Sequence, residues 1–149
     1  FEAPERADEY ELVLEDRTFR IGAVGLGNPH AVMRVEALDR VPVATVGPAI
    51  QALERFPEGV NVGFVEAHGR DHIRLRVFER GSGETLACGS GACAAVAVGR
   101  QQGWLDGTVT VDLPGGRLTI HWPGPGSPIT LTGPAKTVFE GRIDHDPAV

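Results

Sequence analysis

Cys88 stands in the run Ala87-Cys88-Gly89-Ser90-Gly91-Ala92, directly ahead of a string of small apolar residues. Small residues let backbone approach a ligand closely, and the first-turn N–H groups of a helix have no internal partner. Those amides and the helix dipole stabilise an anion, such as a carboxylate, at that spot. The same field favours a thiolate, so the Cys88 thiol is expected to fall below the free value of about 8.5. The residues alone leave a plainer reading open, in which Cys88 is a small side chain in a glycine-rich cap. Cys93, inside the apolar string, reads as core.

Upstream lies Glu79-Arg80-Gly81-Ser82-Gly83-Glu84-Thr85. A carboxylate and a guanidinium held together at a strand end can bind a zwitterion, or the carboxylate can manage a neighbour's proton. Standing alone, the pair also fits an ordinary surface ion pair. His30, in Gly27-Asn28-Pro29-His30, and Asn61, after Gly59-Val60, both sit at turns, where structural and functional roles compete. His68 and His72 are four apart, but Gly69 breaks the helix that would align them on a metal, and His121 and His145 have no ligand-spaced partners. No metal site is expected. Gly25-Leu26-Gly27 lacks the rest of a dinucleotide fingerprint, and neither a phosphate loop nor a nucleophile elbow is present.

These residues need elements to hold them. The run Ala92-Cys93-Ala94-Ala95-Val96-Ala97-Val98 is apolar on every face, and Gly103 falls where a C-terminal cap belongs, so a helix is predicted over 90–102. A helix apolar all round must be enclosed by the rest of the protein. A first helix is predicted over 48–56, from Pro48 to just before Pro57. Alternation and turn residues predict strands over 10–14, 19–24, 31–35, 61–67, 72–78, 108–113, 117–122, 129–132 and 136–141. The fold class is therefore α+β: a mostly antiparallel curved sheet wrapped around a central apolar helix, with about eight strands and two helices.

Length and charge set outer limits. The chain has 149 residues with a formal net charge of −6, enough for one domain and unsuited to a broad electrostatic grip on nucleic acid or anionic lipid. Its 20 glycines and 11 prolines favour tight turns over long helices. No apolar stretch approaches the roughly 18 residues of a membrane span. No leader pattern opens the chain, and its two cysteines read as unpaired intracellular thiols, so a cytoplasmic location is expected. The first residue is Phe, which raises the expectation of a piece cut from a longer protein.

Three motifs taken together carry a resemblance: Gly27-Asn28-Pro29-His30, then Val60-Asn61-Val62-Gly63-Phe64, then the run from Glu79 to Gly91. With the closing Gly133-Pro134-Ala135-Lys136-Thr137-Val138-Phe139-Glu140-Gly141, the chain resembles the C-terminal half of diaminopimelate epimerases. The resemblance implies isomerase chemistry without pyridoxal phosphate or any other cofactor, interconverting LL- and meso-diaminopimelate for lysine and peptidoglycan precursor synthesis. Two cysteines, one from each of two similar domains, face opposite sides of the substrate α-carbon. It makes Cys88 one acid/base and Glu79 the residue that helps set its protonation state. His30 does that service for the other domain's cysteine. Asn28, Asn61 and Arg80 match positions that hold the substrate's amino and carboxylate groups, and Gly89 and Ser90 match the anion-binding cap. Ser90 stands where threonine is often found.

The resemblance also implies partners. The domain with the second cysteine, in a Cys-Gly-Asn-Gly loop, is absent from these residues, and Cys93 cannot replace it from the same helix. The expected division is 1–133 as the catalytic half and 134–149 as a strand and tail that cross back to the missing domain. Left unpaired, that strand is expected to fray or to pair in a homodimer. The isolated chain is expected to fold without epimerising. Three alternatives remain: a cysteine hydrolase or transferase with Cys88 as nucleophile and His30 as base; a proline-racemase-like or phenazine-biosynthesis-type protein of the same fold; and a non-catalytic amino-acid-binding module.

Overall fold

The computed structural model describes residues 9–14 and 17–144. In chain order the elements are β1 (Tyr10–Leu14), β2 (Arg17–Gly25), β3 (Pro29–Arg34), a 3₁₀ turn (Leu38–Arg40), α1 (Val43–Gln51), β4 (Asn61–Ala67), β5 (His72–Glu79), β6 (Gly83–Thr85), α2 (Gly89–Gln101), β7 (Thr108–Leu113), β8 (Gly116–His121) and β9 (Thr130–Thr132). The strands form one sheet in the order β1-β2-β3-β4-β5-β7-β8-β9, with β6 beside β5. Among the described residues only β3·β4 and β5·β7 run parallel. Parallel neighbours need a crossover connection, and the two helices lie in those two crossovers. The predicted α+β class, with its mostly antiparallel sheet, is the observed one.

The sheet curls around α2, which touches β2, β3, β4, β5, β8 and β9. Every residue from Gly91 to Gly99 is buried, as the apolar run required. Gly103, at φ +79°, ends the helix: its amide donates to the Arg100 carbonyl at 3.2 Å, and that of Trp104 to Gly99 at 3.0 Å. This paired-bond cap needs a left-handed residue, which glycine supplies without strain.

Strand alternation divides the core in two. Val32, Val65, Ile73, Leu75 and Val77 pack with α2, while Ala31, Met33, Val62 and Phe64 pack on the opposite face with Val43 and Ile50 of α1.

Two predicted elements are corrected. The first helix covers Val43–Gln51 and not 48–56, with Pro42 at its N-cap and Pro48 inside it. The buried spacing of Val43, Gly47 and Ile50 decides the boundary, because Gly47 lies flat against the Phe78 ring and leaves no room for a side chain. That packing outweighs the backbone hydrogen bond that Pro48 cannot donate. The predicted strand over 136–141 is irregular and exposed, with Val138 and Phe139 at 87% and 83%. Alternation makes a strand only where a partner strand takes up its amides and carbonyls, and among the described residues none does. Conversely, β6 was not anticipated, since its three residues carry no periodic signal.

A Cβ added at Gly22 of β2 would meet Val98 Cγ1 at 2.2 Å, inside the tight contact between sheet and helix. Gly22→Ala is expected to cost about 1–3 kcal/mol, the usual range for overpacking. Urea melts should show the loss, and Val98→Ala in the same chain should recover part of it. An unchanged melt would mean that β2 does not press on α2.

Candidate active site

One end of the sheet gathers the chemistry. Parallel pairing of β3 with β4 sets His30 beside Asn61 near the starts of both strands. β5 runs antiparallel to β4 with Val62 opposite Phe78, so Glu79, the last residue of β5, finishes next to the start of β4. The chain then passes through β6 and enters α2 at Gly89. Alternation adds the facing: His30, Asn61 and Glu79 share the parity of Val32, Val65 and Val77, which pack on α2.

Cys88 is the N-cap of α2, with an extended backbone and only 6% exposure. Its Sγ accepts the Gly91 amide at 3.3 Å and lies 3.6 Å from Ser90 Oγ. The sulfur thus takes the place that a Ser or Asp oxygen holds at most N-caps. The amides of Gly89 and Ser90 make no hydrogen bond among the described residues, and Gly89 is exposed, which leaves two unused donors next to Cys88 in the chain.

Glu79 is the electrostatic link between the other two groups. Burial pushes the Cys88 thiol above its ordinary 9.0; the Ser90 and Gly91 hydrogen bonds pull it back, and the Glu79 carboxylate pushes it further up. This corrects the expectation of a depressed thiol. Loss of water around the sulfur outweighs the helix N-terminus, so the resting group is the thiol. His30 is 2% exposed and burial lowers its pKa from 6.5, partly countered by Glu79, so the neutral imidazole is favoured.

The asparagines are already engaged. Asn28 Oδ1 meets His30 Nε2 at 3.0 Å, within the turn that starts β3. Asn61, 4% exposed, donates to the Pro29 carbonyl at 3.3 Å and accepts the Arg80 amide at 2.9 Å, which ties β3, β4 and the end of β5 together. Arg80 is placed differently from the expected Glu79–Arg80 pair. One residue past the strand, its guanidinium turns to the Glu58 carbonyl at 2.7 Å and lies at the surface. Sequence neighbours at a strand end point to opposite faces, which separates carboxylate from guanidinium.

One contributor escaped the sequence reading. Thr85 Oγ1 donates to Glu79 Oε1, six residues back across the β5–β6 hairpin. The only sequence signal for it was the turn Gly81-Ser82-Gly83 between the two. His30 does not hydrogen-bond Cys88 among the described residues; its Nε2 faces Asn28. A recess of about 260 Å³ opens beside Pro29 and His30. The larger cavity, about 520 Å³, is at the far end of α2 against Arg34, Gln102 and Trp104, and touches none of these groups. The His68 and His72 rings lie 5.5 Å apart, but His68 is occupied by Glu66 and His72 by Asp112. Among the described residues no group of three His, Cys, Asp or Glu could hold a metal. No helix there is long and apolar enough to cross a membrane.

A sheet curled around one buried helix is a known architecture. The chain superposes on a phenazine biosynthesis protein of the PhzF family from Enterococcus faecalis with a TM-score of 0.51, 20% identity, and 69% of this chain and 38% of that one covered. That likeness is one of fold. The family is decided by sequence: the diaminopimelate epimerase model matches residues 22–138, and the chain belongs to the diaminopimelate epimerase family. A diaminopimelate epimerase from Alkalilimnicola ehrlichii is 62% identical over 98% of this chain and 52% of its own length. Another from Halorhodospira halophila is 58% identical over 97% and 50%. The chain spans about half the length of the curated relatives it matches.

Two pH responses follow from the burial of these groups. Below 6.5 the unfolded chain takes up a proton that buried His30 resists, so this contribution to stability is complete above 6.5 and falls as pH drops toward the folded value. In urea melts at a series of pH values, His30→Gln should flatten that acid limb. In a Cys93→Ala background, iodoacetamide labelling of Cys88 should inflect above 9.0. An inflection below it would put the helix N-terminus ahead of burial.

Proposed function

We propose that this chain is the C-terminal half of a cofactor-independent epimerase that interconverts LL- and meso-diaminopimelate. Cys88 is one of two proton-transfer groups, and the second thiol comes from a domain outside these residues. The observation that carries the reading is the Cys88 sulfur at the cap of α2, coupled to the Glu79 carboxylate and flanked by the unused Gly89 and Ser90 amides.

The chemistry demands this combination. An α-hydrogen beside a carboxylate is a very weak acid, so negative charge developing on the carbon and carboxylate must meet donors already in place. The Gly89 and Ser90 amides and the dipole of a thirteen-residue helix supply that for the α-carboxylate. Inversion needs one group able to give a proton while its counterpart takes one from the opposite side. Burial that keeps Cys88 protonated suits the donor role, and reversal of the reaction makes its thiolate the acceptor, with Glu79 adjusting the balance. In this reading Asn28, Asn61 and Arg80 exchange their present partners for the substrate's amino and carboxylate groups. His30 acts toward the partner domain's thiol. Residues 134–144 cross to that domain, and the exposure of Val138, Phe139 and Ile143 supports this division at 133; the rest of the expected tail, 145–149, lies outside the described residues.

The geometry favours proton transfer over a nucleophilic cysteine, because a hydrolase pair needs His30 within reach of Cys88 and His30 is instead held on Asn28.

The isolated chain should show no turnover of diaminopimelate. Joined to a domain with the second cysteine, it should catalyse α-proton exchange in deuterated water with no acyl-enzyme. Cys88→Ala in the joined protein should lower the rate at least about 10²-fold, the usual lower bound for a lost acid/base. Normal turnover by that variant would overturn the assignment.

A further inference from the structure

Thr85 is half-buried, and neither the motifs nor the substrate-binding reading gives it a task. Its hydroxyl donates to Glu79 Oε1, while the Ala87 carbonyl waits 3.5 Å from the same oxygen. The strand that carries it, β6, has three residues, too few to hold a place alone. Pairing of Thr85 with Val77 and of Gly83 with Glu79 fixes its register. Arg76 fixes its position: the guanidinium grips Glu84 through bonds of 2.6 and 3.0 Å and reaches the Leu38 and Val41 carbonyls at 3.2 Å each. A two-pronged guanidinium–carboxylate bond of this kind is the geometrically specific sort of ion pair.

We infer that Thr85 is a positioning residue, whose hydroxyl anchors Glu79 Oε1 so that the carboxylate stays turned toward Cys88 whether or not it carries a proton. The inference rests on the reading of Cys88 and Glu79 as a proton-handling pair. A hydroxyl has one hydrogen to give and two lone pairs to receive. While Glu79 is ionised, Thr85 donates to it. When the Cys88 proton moves to Glu79 Oε1, the new O–H donates to Thr85 Oγ1, and Thr85 turns its own hydrogen to the Ala87 carbonyl. One proton leaves sulfur and one arrives on the carboxylate; no other covalent bond changes. Valine has the same shape and can do neither.

The test is a substrate-free titration of the Cys88 thiol in the 149-residue chain with Cys93→Ala, read as iodoacetamide labelling rate against pH. The titratable groups that act on the sulfur are Glu79 on β5 and Cys93 on α2; the background removes Cys93, and His30 on β3 is coupled to Glu79. Glu79→Gln removes the charge that pushes the thiol up and should lower the inflection. Thr85→Val, which frees the carboxylate to swing into solvent, should move it in the same direction by at least half as much. Thr85→Ser should titrate like the parent. The inference is overturned if Thr85→Val matches the parent, if Thr85→Ser matches Thr85→Val, or if Glu79→Gln itself changes nothing. Circular dichroism checks each fold, and Thr85→Ala is judged by the same criteria if the valine variant is unfolded. Turnover by a joined protein lacking Cys88 would sink the epimerase reading and leave this titration as it stands.

Discussion

The hydrogen bond from the Gly91 amide to the Cys88 sulfur marks the point on which the site depends. A helix enclosed on every side has only its ends free, and α2 opens at the edge of the sheet where β3 and β4 begin. The amide that the sulfur accepts is one of the first-turn groups without an internal partner. Using the sulfur as the cap fixes it relative to the helix axis. The neighbouring Gly89 and Ser90 amides stay available at the same place.

Burial then decides the electrostatics. A helix N-terminus favours a thiolate, and it does so here through the Gly91 and Ser90 contacts, yet removal of water from the sulfur is the larger effect and Glu79 adds to it. His30 follows the same logic with the opposite charge, since its buried imidazole is kept neutral despite the carboxylate. Both groups therefore rest in uncharged forms beside Glu79. On the proposed reading, proton transfer here depends on where that carboxylate points, which gives its hydroxyl anchor a task.

The sheet supplies the geometry through the pairings on either side of β4. Pairing β3 in parallel with β4 brings two strand starts together, and pairing β5 antiparallel with β4 delivers a strand end to the same edge. β4 occupies one side of β5, so β7 and β6 share the other, β7 along His72–Arg74 and β6 along Val77–Glu79. That division leaves the last residues of β5 free to carry a hairpin into the cysteine cap.

Local sequence settled the elements whose signals are local. The seven-residue apolar run could only be an enclosed helix, Gly103 could end it, and the alternation of Ile73, Leu75 and Val77 with arginines named a half-buried strand. The motifs around Asn28, Asn61 and Glu79 to Gly91 were enough to mark the family and to single out a candidate site. What required the folded chain was everything set by distant partners. Packing on Phe78 moved the first helix onto Pro48, and want of a partner strand left 136–141 irregular. Water exclusion reversed the direction of the Cys88 titration, strand parity parted Arg80 from Glu79, and a three-residue strand brought Thr85 to the carboxylate. Residue types and spacing encode what a segment can do alone. Solvent access and pairing arise only when segments far apart in the chain meet.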